Sequence, residues 1–229
     1  MIPLRDDNPT ELRPVVTVAV IALCVLAYLW QLSLPPRSEQ ALVYSLGLIP
    51  SVLLGHRELE EGLKLVPAPV TILTSMFLHG GFLHLAGNML YLWIFGDNVE
   101  DRMGHGRFTA FYLLCGLAAA LSQALPDPES VLPMIGASGA ISGVLGAYLL
   151  LYPRASVLVI IPIFIIPYTL RLPALLVLGA WFVGQLLSSL AAPGAGGGVA
   201  FRAHIGGFLA GVLLVRLFAR RTPALRPRW

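Results

Sequence analysis

Apolar residues in this chain come in long runs rather than in strict alternation, and polar or proline-containing punctuation divides the runs into six. They lie at about 15–34, 71–95, 106–125, 138–152, 173–190 and 201–218. Each approaches the roughly 20 residues needed to cross a bilayer as a helix. The fourth ends at Tyr152-Pro153-Arg154, an interfacial aromatic followed by a helix stop and a charge. Between 156 and 170 the chain is apolar but broken by Pro162 and Pro167, which predicts interfacial or partly re-entrant chain rather than a further span. The fold class expected is all-α: a polytopic membrane protein of six helices. Its parts are a short N-terminal segment over 1–14, a membrane domain over 15–218 and a basic tail over 219–229.

Composition narrows the class. Of 229 residues, 57% are hydrophobic and 12% charged, against about 25% charged in a soluble domain. Too little charge is present to cover a water-facing surface. The first run is too long for a signal-peptide core and has no small-x-small cleavage site after it, so it reads as a retained span.

Lys and Arg set the orientation. With both termini cytoplasmic, eleven fall inside (Arg5, Arg13, Arg102, Arg107, Arg154, Arg171, Arg216, Arg220, Arg221, Arg226 and Arg228), and only Arg37, Arg57, Lys64 and Arg202 fall outside. The bilayer is thus the expected partner, and nucleic acid is not. A bacterial inner membrane fits this form, with an organellar membrane as the other possibility. Cys24 and Cys115 lie inside apolar runs and read as small buried residues. No metal-ligand set stands out, and no cofactor is expected. The outer loop at 35–70 carries HRELEEGLK and either packs on the outer leaflet or links spans. That at 191–200, AAPGAGGGVA, is dense in glycine and expected to be mobile.

Polar side chains at membrane depth are costly and usually face a cavity or the bundle interior. Here they are His79, His84 and Asn88 in the second span, Ser138 and Ser142 in the fourth, and His204 in the sixth. Spans two, four and six all run from outside to inside, which places every one of them in the outer half. The fourth span, about 15 residues long, covers only roughly 22 Å of a core about 30 Å thick. Ser138 therefore starts below the outer surface, under a pocket lined by the loop PDPESVLPMIGA. Gly139 and Gly143, like Gly207 and Gly211, are four apart on one face and permit close helix approach. Close approach would set Ser138 beside His204.

A serine becomes a nucleophile when an adjacent base takes its proton. No Asp or Glu lies in the spans near His204, so a dyad is more economical than a triad. His84 and Asn88, at i and i+4, share a face and can donate toward a developing oxyanion, with backbone N–H groups at the start of the fourth helix. His79 reads as structural. Each residue alone has a bland alternative, as an N-cap, a back-bonded serine or interhelical glue. Their convergence at one depth favours chemistry. His56 and His105 fall in loops and are assigned nothing.

These motifs together resemble the rhomboid family of intramembrane serine proteases. The matching pieces are His79-x4-His84-x3-Asn88, Gly136-Ala137-Ser138-Gly139, and Ala203-His204-x2-Gly207-x3-Gly211. FGDNVEDRMG, with Glu100, Arg102 and Gly104, is similar to the family's inner turn after its second span. The resemblance covers about 71–215. It implies Ser138 as nucleophile, His204 as general base, and His84, Asn88 and the Ser138 N–H as oxyanion donors. It also implies membrane-spanning substrates that enter laterally, with 191–200 as a mobile cap and the fifth span as part of the gate. In some members the position of Ser142 holds a tyrosine that stacks on the catalytic histidine, and the first loop carries a Trp-Arg pair; this chain has neither. Two other classes stand beside the protease: a non-catalytic rhomboid-like binder or escort of transmembrane helices, and a channel or transporter. Channel activity needs a polar route to both faces, whereas the polar residues cluster in one half.

Overall fold

The computed structural model describes residues 1–163, 166–191 and 200–220. Chain order runs strand β1 (Ile2–Asp6), helices α1 (Val15–Ser33), α2 (Pro36–Leu46), α3 (Pro50–Leu53), α4 (Thr71–Thr74), α5 (Phe82–Met103), α6 (His105–Ala124) and α7 (Ser138–Leu151), strands β2 (Ser156–Ile163) and β3 (Ile166–Pro173), then helices α8 (Ala174–Ala191) and α9 (Phe201–Phe218). Helix dominates. Three helices, α1, α8 and α9, are long and apolar enough to cross a bilayer. The expected glycine-rich cap at 191–200 and the tail arginines Arg221, Arg226 and Arg228 fall almost wholly outside the described residues.

Three expectations need correction. The all-α class is incomplete, because β1, β2 and β3 form an antiparallel sheet in that order. The segment 156–170 is thus most of a β-hairpin and not re-entrant chain. Val157 and Val159 alternate into the core at 0% exposure, a period of two that the unbroken apolar run VLVII conceals. The N-terminal segment 1–14 is tied to the bundle. β1 pairs with β2, Asn8 O accepts from Asn98 Nδ2 at 3.0 Å, and Leu12 N–H donates to Asp101 Oδ1 at 2.7 Å. The Tyr148 hydroxyl donates to the Asp6 carboxylate. Burial pushes the Asp6 carboxyl above the usual carboxylate range, opposed in part by that bond.

Third, the span expected at 71–95 is not one helix. A broken stretch ending at Phe77 meets α5 at an 82° bend, across Leu78-His79-Gly80-Gly81. α5 then continues past the apolar run to Met103. Its C-terminal end is held by Glu100, at 0% exposure, whose carboxylate accepts from Val16 N–H and Thr17 N–H, both at 2.8 Å, and from His105 Nδ1 at 2.6 Å. One buried anion thereby satisfies the first N–H groups of α1, where the helix dipole favours negative charge. His105, expected in a loop, instead begins α6. Between them Gly104, at φ +78°, makes the left-handed turn that separates α5 from α6.

α7 forms the centre. Every residue from Gly139 to Tyr148 is buried, as expected of a helix apolar on all sides with neighbours all round. It packs against α5, α6, α8 and α9. The α7–α9 crossing is the tightest: a Cβ on Gly207 would lie 2.0 Å from Gly139 O, and one on Gly211 only 1.9 Å from Gly143 O. Those neighbours are backbone and cannot rotate away, so glycine is required for the observed separation.

This packing and the Glu100 cluster are tested by three substitutions. Gly211→Val forces α7 and α9 apart and is expected to cost about 1–3 kcal/mol or more by overpacking. Gly179→Ala on α8, where an added Cβ meets nothing within 4 Å, is expected to be neutral or slightly stabilising. Glu100→Gln, which keeps shape but removes the charge from three hydrogen bonds, is expected to cost on the order of 2 kcal/mol. Thermal unfolding of the purified variants in detergent checks all three.

Candidate functional site

Ser138 is the first residue of α7, and Ala137 precedes it as N-cap without a side-chain cap. Its hydroxyl is therefore not spent on capping. Oγ lies 2.8 Å from His204 Nε2, near the start of α9. The glycine contacts below this pair fix its spacing, since they set how closely α7 and α9 approach. Gly139 and Gly143 face α6 as well: added Cβ atoms would meet Ala119 Cβ at 2.6 Å and Cys115 at 2.4 Å. Cys24 and Cys115 are both buried and free.

His84 and Asn88 stand one turn apart on α5, across from Ser138. Gly136 lies between them and the serine, at φ +121°. A Cβ there would come within 2.7 Å of His84 Nε2 and 3.7 Å of Asn88 Nδ2. The missing side chain leaves that space free and lets the backbone adopt a conformation L residues avoid. Gly80 N–H approaches His84 Nδ1 at 3.4 Å. With Nδ1 as acceptor, Nε2 carries the ring proton. Asn88 is 7% exposed, and its Nδ2 is buried with no partner among the described residues. An unpaired buried donor is costly, and this one lines the same cavity as Ser138.

That cavity has a volume of about 920 Å³ and is lined by His84, Asn88, Gly136, Ser138, Gln185 and His204, among others. Its walls reach the loop residues Asp127 and Ser130 and Arg202 at the start of α9. The structure thus brings Ser138, His204, His84, Asn88 and Gly136 around one recess.

His79 and Ser142 have other surroundings. His79 is not on a span helix but in the break before α5, with 0% exposure. Its backbone N–H donates to Gln31 Oε1 at 3.0 Å, and its carbonyl accepts from Gln31 Nε2 at 3.1 Å. Its Nδ1 lies 3.2 Å from Phe77 O, and its ring packs edge-on to His84 with centroids 5.2 Å apart. His79 therefore anchors the break and buttresses His84. Ser142 Oγ donates to Ser138 O at 2.6 Å, the back-bond common for serine in apolar helices. That hydroxyl is engaged by its own helix, although the residue also lines the recess.

Sequence reasoning missed Gln31, Trp181 and Gln185. Gln185 Oε1 lies 2.7 Å from His204 Nδ1. Trp181, one turn earlier on α8, flanks the same ring with centroids 6.0 Å apart and planes inclined at 35°. An aromatic neighbour for the histidine thus comes from α8, not from the position of Ser142. The signal was present, since a glutamine deep in an apolar span is itself a polar group seeking a partner.

Comparison with known proteins places this geometry in context. A family model described as the Rhomboid domain matches residues 68–221. The mitochondrial Rhomboid protein 1 of Saccharomyces cerevisiae is 35% identical over 157 residues, 65% of this chain and 41% of that protein. Rhomboid protease GluP of Bacillus subtilis is 45% identical over 78 residues, 34% of this chain and 15% of its own length. RHOMBOID-like protein 5 of Arabidopsis thaliana is 41% identical over 78 residues, 34% of this chain and 25% of the plant protein. The chain therefore matches less than half the length of each of these relatives.

Proposed function

The chain belongs to the rhomboid family, and from that premise we propose that it is an intramembrane serine endopeptidase using Ser138 and His204. The single observation that carries the reading is the 2.8 Å approach of Ser138 Oγ to His204 Nε2 at the edge of a recess. His204 Nε2 takes the hydroxyl proton as Oγ attacks a peptide carbonyl. Negative charge then develops on the carbonyl oxygen. His84 Nε2–H, Asn88 Nδ2–H and the Ser138 N–H, which has no intrahelical acceptor at the first helical position, are the donors for it. Collapse of the tetrahedral species breaks the C–N bond, and the proton on His204 passes to the leaving amine. Water then attacks the acyl-serine ester with His204 again as base, which regenerates the hydroxyl.

Substrates in this reading are membrane-spanning proteins cut in or beside their transmembrane segment. They enter laterally past α8. Its buried residues, Ala174, Val177 and Leu178, all lie near its start, and beyond them its residues are only partly buried or exposed. The full topology is six spans with both termini on the Lys/Arg-rich side, in a bacterial inner membrane. No metal or cofactor takes part.

The test is reconstitution of purified protein with a panel of single-span substrates. Ser138→Ala and His204→Ala are expected to lower cleavage roughly a thousandfold or more while remaining folded. Wild-type cleavage by Ser138→Ala would overturn the assignment. Substrate binding without cleavage by either wild type or Ser138→Ala would mark the protein as a non-catalytic binder.

A further inference from the structure

A neutral imidazole has one proton for two nitrogens, so what faces one nitrogen decides what the other can do. In His204 the two nitrogens face different helices. Nε2 meets Ser138 Oγ on α7 at 2.8 Å, and Nδ1 meets Gln185 Oε1 on α8 at 2.7 Å. An amide oxygen can only accept. The short contact at Nδ1 therefore requires the ring proton there, which leaves the Nε2 lone pair directed at the serine hydroxyl. The opposite tautomer would need the amide to turn its Nε2 toward Nδ1 in place of Oε1, and would point an N–H at Oγ, where a base is needed.

We propose that Gln185 is a positioning residue that holds His204 in the tautomer and ring rotation able to accept the Ser138 proton. The inference rests on the Ser138–His204 reading above. Within the described residues Gln185 Oε1 is the side-chain partner of Nδ1, and no carboxylate takes that place. The choice of an amide has a physical reason. A carboxylate would orient the ring equally well, but an ionised group beside an apolar span carries a desolvation penalty that a neutral amide avoids. Trp181 precedes Gln185 by four residues and lies on the same face of α8. One helix face thus supplies both the flank of the ring and the acceptor for its proton. Sequence reasoning that looked only for Asp or Glu expected a dyad with no third group; an amide fills the role without charge.

The test uses the full chain, purified in detergent, and a small fluorophosphonate probe whose labelling rate reports activation of Ser138 without requiring a protein substrate to enter. Gln185→Leu keeps the bulk and removes the acceptor; it is expected to label about tenfold more slowly, as for loss of one buried hydrogen bond. Gln185→Glu restores an acceptor and is expected to stay within about threefold of wild type. ¹⁵N spectra of histidine-labelled protein read the tautomer directly. His204 should show a protonated Nδ1 and a bare Nε2 in wild type, and a mixture in Gln185→Leu. If the leucine variant does not fold, Gln185→Met replaces it, because unbranched methionine adapts to irregular packing.

Wild-type labelling together with an unchanged tautomer in the leucine or methionine variant would overturn the proposal. Equal slowing in the leucine and glutamate variants would also overturn it, by showing that Gln185 acts only through packing. A Ser138→Ala control that still labels would instead overturn the underlying dyad, so the two failures are distinguishable.

Discussion

Backbone contact between α7 and α9 is the constraint on which the site depends. Glycine at 139, 143, 207 and 211 leaves no side chain between the two helices, and carbonyl oxygens of one lie about where Cβ atoms of the other would be. Without a hydrophobic driving force between spans in lipid, van der Waals contact at such seams supplies much of the cohesion. The same seam sets the spacing of Ser138 and His204, because Ser138 stands at the start of α7 and His204 near the start of α9.

Around this seam, several polar side chains are held by partners from another element. Gln31 on α1 brackets the backbone of His79, His79 supports His84, and Gln185 on α8 faces His204. Asn88 Nδ2 and His79 Nε2 are buried with no partner among the described residues, and of the two residues only Asn88 lines the recess. A cost of that kind is expected where a donor waits for charge that develops only during a reaction. At the opposite end of α5 a second polar cluster, built on Glu100, ties α1, α5 and α6 together, away from the recess.

Much of this was legible in the chain. Uniformly apolar runs with clear stops gave α1, α6, α7, α8 and α9 to within a residue or two, because a span's length is set by the bilayer and its ends by charge or proline. The segment 71–95 misled for a physical reason: Gly80-Gly81 breaks the helix, yet the flanking residues are apolar on both sides, so hydropathy sees one run. The sheet was hidden because β1 and β2 are far apart in sequence and the outward positions of β2 are as apolar as the inward ones. Gln185 was overlooked because the search was for a carboxylate, although the geometry needs only an acceptor. His84 and Asn88 were legible through their four-residue spacing, whereas the role of Gly136 emerges only from the volume a side chain would occupy.

The most direct measurement is an experimental structure of the protein after reaction with a fluorophosphonate. The expected result is phosphorus bonded to Ser138 Oγ, with His204 Nε2 beside it and a phosphoryl oxygen facing His84 and Asn88 across the Gly136 backbone. A covalent bond to any other side chain, or helices α7 and α9 standing apart with Ser138 remote from His204, would contradict the central claim.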